Sequence, residues 1–309
     1  MKIYHNLDSF QRLDYAVVTS GTFDGVHIGH KKILSRLQEI SHQSGGETVV
    51  LTFWPHPRTV VAEDSQTLQL LSTIEEKIEL FAELGIDHLA IIPFTRSFSE
   101  LTSQAFIQQI LVEKIGTKKL VIGYDHRFGK NREGSFDFLK NNCSQYGFEV
   151  EEISRQDVDD LAISSSRIRR ALLTGHIAEA NELLGRPYTI SGTVVKGKQL
   201  GRTIGFPTAN VHPAESYKLI PQNGAYMIRA TYKDEKFEGM LNIGVRPTVD
   251  GSMKTIEAHL FNFNKEIYGE DVQLELLHYI RPEQKFNGLP ELMEQINLDK
   301  EATERYFQK

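Results

Sequence analysis

Two hydrophobic rhythms alternate between residues 15 and 153. Short apolar runs of strand length occur at 15–19, 48–53, 88–93, 119–123 and 148–153. Between them, segments 31–41, 73–84, 102–115 and 135–146 repeat their apolar residues every three or four positions, which predicts amphipathic helices. The last three are followed by Gly85, Gly116 and Gly147, residues that adopt a left-handed helix end cheaply. Strand and helix in alternation predict βα units and an α/β domain built on a parallel sheet.

After Ile163 the rhythm changes. A run of three serines precedes helical spacing at 167–173 and again at 177–184, ended by Gly175 and Gly185. From residue 188 the period falls to two, with β-branched and aromatic residues at 188–195, 225–232, 237–243, 255–263 and 272–280. Turn signals at Asn223-Gly224 and Asp250-Gly251 separate these segments. Five strands without intervening helices predict a small antiparallel β-barrel, closed by a terminal helix at 289–307. The expected domains are therefore 1–185 and 186–309.

The length of 309 residues suits two such cores, and a charge of -6 provides no global field for nucleic acid or an anionic membrane. No apolar run approaches the ~20 residues of a membrane span. The N-terminus has no secretory signal pattern, so the cytoplasm is the expected compartment. Cys143, the single cysteine, excludes an internal disulfide and a cysteine-based metal site. No obligate protein partner is evident.

The most informative segment is Gly21-Thr-Phe23-Asp24-Gly-Val-His27-Ile-Gly29-His30, between the first predicted strand and the first helix. Glycines at 21, 25 and 29 let backbone approach a ligand, and a helix start offers free amides to an anion. Histidines three apart share one face of a helical turn, where they could donate to phosphate oxygens. The same pair could instead cap the helix or, with a third ligand such as His56, hold a metal. Downstream, Ser164, Ser165 and Ser166 with Arg167 and Arg169 offer hydroxyls and charge to a polyphosphate.

His27-Ile-Gly-His30 is the HxGH signature of nucleotidyltransferases, and the longer segment resembles that of bacterial bifunctional riboflavin kinase/FAD synthetases. Phe53-Trp-Pro-His-Pro57, Gly123-Tyr-Asp125-His-Arg-Phe128-Gly129 and Ile163-Ser-Ser-Ser-Arg-Ile-Arg169 resemble three further motifs of that family. The resemblance implies a Rossmann-like first domain that adenylylates FMN to FAD with release of pyrophosphate. It implies catalytic roles for His27, His30 and Arg169, and nucleotide contacts from Gly21, Phe23, Asp24, Gly29, Ser164, Ser165 and Arg167. Asp125 and Phe128 would meet the flavin. The sequence departs from the family pattern at Trp54, often acidic there, at His126, usually phenylalanine, and at Ser166, commonly threonine.

In the second half, the stretch 192–199 falls short of a P-loop, because Gln199 lacks the hydroxyl that such a loop offers to magnesium. Glycine-rich turns at Gly197, Gly201, Arg202 and Gly205 instead lead into Phe206-Pro-Thr208-Ala-Asn210, which resembles the PTAN signature of riboflavin kinases. The resemblance makes those turns nucleotide-binding, Thr208 and Asn210 oxygen ligands for Mg²⁺, and Glu257 the catalytic base. Segments 242–248 and 257–263 resemble further kinase motifs, and Arg281 and Phe286 would help to hold the flavin. The family would thus phosphorylate riboflavin to FMN with ATP in this half and make FAD in the other. Two alternatives are a kinase with a degenerate adenylyltransferase domain and a non-catalytic flavin-binding regulator.

Overall fold

The computed structural model describes residues 1–61, 68–153, 163–197, 200–248 and 251–308. Lys198, Gln199 and Asp250, singled out above, lie outside the described residues. The chain forms two compact units, Met1–Ser165 and Ser166–Lys309. This division falls before the two short helices that the sequence reading assigned to the first domain.

The first unit is a six-stranded parallel sheet in the order β1-β4-β3-β2-β5-β6. Its strands are β1 (Lys2–Tyr4), β2 (Ala16–Ser20), β3 (Glu47–Trp54), β4 (His88–Pro93), β5 (Thr117–Gly123) and β6 (Glu149–Ile153). Long helices α1 (Ile28–Ser44), α2 (Ile74–Glu83), α3 (Phe106–Ile115, with π-type turns) and α4 (Phe136–Tyr146) fill the connections. Every residue of β2 is buried, because helices cover both faces of the sheet. Val17 packs with Leu34, Leu37 and Phe81 on one face, while Val18 packs with Phe106, Ile107 and Leu111 on the other. Gly116 takes φ 81 beyond α3, and any Cβ there would collide with the Leu13 carbonyl, so glycine is required twice over.

The second unit begins within α5 (Ser165–Leu173), whose first residue belongs to the first unit, and continues through α6 (Ile177–Leu184) into a closed barrel. Its strands are β7 (Tyr188–Val195), β8 (Ala209–Pro213), β9 (Gly224–Tyr232), β10 (Glu235–Thr248), β11 (Gly251–Leu260) and β12 (Asp271–Pro282), joined around as β10-β11-β8-β7-β12-β9. Alternation along β7 sends Tyr188, Ile190 and Val194 into the buried interior. The terminal helix α7 (Leu289–Phe307) is tied to the barrel by Arg281, whose guanidinium reaches the Asp299 carboxylate at 2.8–3.1 Å. The barrel has six strands instead of the expected five, since β8 emerges from the segment read as a turn. None of the described helices is long and apolar enough to cross a membrane.

Candidate functional site

In the first unit, β2 pairs with β3 on one side and with β5 on the other, so the order of strands reverses at β2. The crevice beyond the carboxyl ends of such strands is where open α/β sheets bind ligands. The 21–30 loop leaves the end of β2, and the 124–134 loop leaves β5. A hydrogen bond from Ser20 Oγ to His126 Nε2, 3.2 Å, joins the two sides.

Inside the loop, the non-glycine residues Phe23 and Val26 hold positive φ angles of 47° and 41°. A β-branched residue in that region is rare, and such strain persists only where the surroundings enforce it. Here Asp24 is buried and accepts Leu71 N at 2.9 Å and Ser72 N at 3.3 Å, while Gly25 N donates to Ser72 Oγ at 3.0 Å. Ser165 Oγ donates to the Asp24 carbonyl at 3.0 Å, which brings the serine segment to the loop. Gly21 sits against the Phe23 ring, and Gly29 is buried in the first turn of α1.

His27 is the N-cap of α1, with its Nδ1 accepting the His30 amide at 3.3 Å. Capping and phosphate chemistry are therefore compatible, because an acceptor Nδ1 leaves the ring proton on Nε2, free to donate to a ligand. The His27 and His30 rings stack at 3.6 Å. Burial lowers the His27 pKa to about 4. Burial, helped by the charges of His27 and Lys77, also takes His30 well below the ordinary imidazole value. Both rings are thus neutral donors at physiological pH. His30 Nδ1 is buried with no hydrogen-bond partner among the described residues. The metal alternative finds no support in geometry, since no trio of His, Cys, Asp or Glu among the described residues is arranged to hold an ion.

His126 is likewise lowered to about 4, by burial and then by Arg132 and Arg127, and it stacks on Phe128 at 5.8 Å. It therefore substitutes one neutral flat ring for another. Phe128 is buried against Phe106 and Phe138, and Asp125 is exposed on the same loop. Ser164 is exposed as well. Arg167 and Arg169 lie on α5 in the second unit, where Arg167 pairs with Glu179 of α6 at 2.8 Å.

Within the barrel, register aligns the kinase candidates. Glu257 of β11 lies opposite Asn210 of β8 and opposite Asn242 of β10, forming one row across three strands. Residues opposite one another present their side chains to the same face. A Cβ on Gly197 would overlap the Asn210 amide, and one on Gly201 would strike the Phe206 carbonyl and lie 3.5 Å from Thr208 Oγ1. These glycines therefore make room for both proposed ligands. Gly205 turns the chain at φ 81, and Arg202 pairs with Glu266 at 3.4 Å. His259 Nδ1 meets the Pro207 carbonyl at 2.7 Å and holds the turn before Thr208. A shallow cleft adjoins Thr208, with apolar walls from Val194, Ala258, Leu260 and Ile267 and a rim of Arg202 and Lys265. Arg281 is engaged with Asp299 and lies 5.7 Å from the Phe286 ring, so those two form a cluster against α7.

Sequence reasoning missed Ser72, Lys77, Asn242's place in the row, and His259. Lys77 alone carried a readable signal, since it interrupts the apolar stripe of Ile74, Ile78 and Phe81 on α2.

Comparison with known proteins bears on both units. Residues 10–167 match the family model for FAD synthetase, and residues 184–307 match that for riboflavin kinase. A Listeria monocytogenes protein named bifunctional riboflavin kinase/FMN adenylyltransferase is 40% identical, with 95% of this chain and 93% of that one covered. An Escherichia coli K12 protein of the same name is 39% identical over 98% and 96%. A solved Streptococcus pneumoniae structure described as a macrolide-efflux protein overlays with a TM-score of 0.90 at 30% identity, covering 98% of each chain. With both models matched in order and these relatives aligned along nearly the whole length, the chain belongs to the bifunctional riboflavin kinase/FMN adenylyltransferase family.

Proposed function

We propose that the barrel unit transfers the γ-phosphoryl group of ATP to riboflavin, giving FMN, and that the α/β unit joins FMN to the adenylyl group of a second ATP, giving FAD and pyrophosphate. The observation that carries this reading is a cluster suited to phosphate chemistry in each unit: the stacked His27–His30 pair at the switch point, and the Asn210–Glu257 row beside Thr208. Both reactions consume ATP, which supports the cytoplasm as the compartment for this chain.

In the barrel, the apolar cleft beside Thr208 receives the adenine, and Arg202 and the turns at Gly197, Gly201 and Gly205 approach the phosphates. Glu257 takes the proton from the terminal ribityl hydroxyl as that oxygen bonds to the γ-phosphorus and the bond from the γ-phosphorus to the bridging oxygen of ADP breaks. Thr208 and Asn210 supply a hydroxyl and an amide carbonyl, hard oxygen donors suited to Mg²⁺ in a space that the glycines keep open. When bound, Mg²⁺ would neutralise charge on the ATP phosphates. Phe286 and Arg281 support the flavin side through their cluster against α7.

In the α/β unit, an FMN phosphate oxygen bonds to the α-phosphorus of ATP as the bond to pyrophosphate breaks. His27 donates from Nε2, and His30 with the first amides of α1 adds further donors for the charge that develops there. Gly21, Phe23, Asp24 and Gly29 shape this cradle. Ser164 and Ser165 offer hydroxyls to the leaving phosphates, and Asp125 and Phe128 serve the flavin.

Incubation of the pure chain with riboflavin, ATP and Mg²⁺, followed by separation of the flavins, tests the reading. His27→Ala is expected to lower FAD formation and leave FMN formation near normal. Glu257→Ala is expected to stop FMN formation while FAD is still made from supplied FMN. Loss of both reactions in either folded variant would overturn the assignment of separate sites.

A further inference from the structure

Lys77 is 2% exposed, a costly position for an ammonium that is not anchored. Its Nζ donates to the Thr22 carbonyl at 3.3 Å and lies 6.0 Å from the centre of the Trp54 ring. The titratable groups that face it are the carboxylates of Asp24 from the loop and Glu75 on its own helix, and the His30 imidazole from α1. Its neighbours on α2, Ile74, Ile78 and Phe81, are core residues. A lysine in that stripe demands an explanation beyond packing.

Several elements restrain the 21–27 loop. Leu71 and Ser72 bind Asp24 and Gly25, Lys77 binds Thr22, and the Thr52 hydroxyl donates to the same Thr22 carbonyl at 3.4 Å. Of the strained residues, Phe23 lies between these attachment points and Val26 directly follows them. Lys77 supplies an ammonium to this set, and its positive charge also disfavours a proton on His30.

We infer that Lys77 is a positioning residue of the adenylylation site, holding the Thr22–Asp24 backbone from within the fold so that His27 and His30 face the reacting phosphates as neutral donors. This rests on the adenylylation reading of the loop. Burial lowers the Lys77 pKa to about 8, against the opposing pull of Asp24 and Glu75. The ammonium is consequently lost as pH rises through that value, and the restraint on Thr22 weakens with it.

Trp54 is the only tryptophan in the chain, so its fluorescence reports on this ammonium directly. In the wild-type protein, emission excited at the red edge of tryptophan absorption is expected to titrate with a midpoint near pH 8. The titration should vanish in Lys77→Met and move to lower pH in Asp24→Asn, which removes the opposing carboxylate. For FAD formation, kcat/KM for ATP should show the same alkaline limb, a limb absent from the kinase reaction. Lys77→Met should reduce that kcat/KM at least about tenfold and flatten the limb, with riboflavin phosphorylation within about twofold of normal. Absence of the tryptophan titration, its persistence in Lys77→Met, or an unchanged alkaline limb in that variant would overturn the inference. If Lys77→Met does not fold, the wild-type midpoint and its shift in Asp24→Asn decide alone. Failure of the wild-type chain to make FAD would instead sink the adenylylation reading, leaving the fluorescence result intact.

Discussion

Replacing Asp299 with alanine should loosen the barrel unit far more than an average surface change. The carboxylate is 7% exposed and its partner Arg281 is 17% exposed, so the pair is largely withdrawn from water. Arg281 Nε reaches both carboxylate oxygens at 3.1 and 3.0 Å, Nη2 reaches Oδ2 at 2.8 Å, and Gln295 Nε2 donates to Oδ1 at 2.9 Å. Removing one member of a buried pair costs about 3–5 kcal/mol, mostly through the charge left behind. Arg281 keeps the Pro282 carbonyl at 3.1 Å and the Phe286 ring, which favours the lower end of that range. A loss of about 3 kcal/mol corresponds to a fall in Tm of roughly 10 °C for a unit of this size. Differential scanning calorimetry would measure it, while Trp54 fluorescence, confined to the first unit, should melt as before. Arg281→Met combined with Asp299→Leu should recover part of the loss, because no unpaired charge remains. A shift below about 2 °C for Asp299→Ala would refute the view that this pair fastens α7 to the barrel.

Two other outcomes follow from the sites. His27 and His126 fall to about 4 on burial and His30 is lowered too, so the unfolded chain binds protons more readily than the folded one below the ordinary imidazole value of 6.5. Stability is then fully present above pH 6.5 and is lost as pH falls toward 4, by roughly 1 kcal/mol per pH unit for each ring. The Trp54 melting temperature should drop steadily between pH 7 and 5, and a flat profile would contradict the neutral assignment. Gly197→Ala should displace the Asn210 amide and cut riboflavin phosphorylation by about tenfold with adenylylation preserved, a loss of roughly 1.4 kcal/mol in transition-state stabilisation. Unchanged kinase turnover would show that the Asn210 position does not matter.

The sequence made the larger elements legible because their burial is regular. Strands β2 to β5 are covered on both faces and read as unbroken apolar runs, whereas β7 faces the barrel interior on alternate residues. The short β1 escaped because its three residues are largely exposed and its identity comes from pairing with β4. Strand β8 escaped for a similar reason: only Val211 is buried, and β7 and β11 impose extension on polar Asn210 and His212. The helix start at His27 and the shared face of His27 and His30 were readable from residue type and spacing. The positive φ at Phe23 and Val26 was not, because those residues disfavour it and only the tertiary contacts of the loop enforce it.

The two ends of the open sheet have a bearing on how copies of the chain meet. Unlike the barrel, which closes on itself, this sheet ends in two outer strands, each paired on one side only among the described residues. At one margin stands β1, only three residues long. At the other, β6 carries Glu149, Glu151 and Glu152, and the first two are matched to Lys119 and Arg36 of the same unit. A second molecule adding a strand at the first margin would gain too few hydrogen bonds, and at the second it would set like charges side by side. An enzyme with an open sheet can thereby be kept at high concentration without its sheets growing into one another.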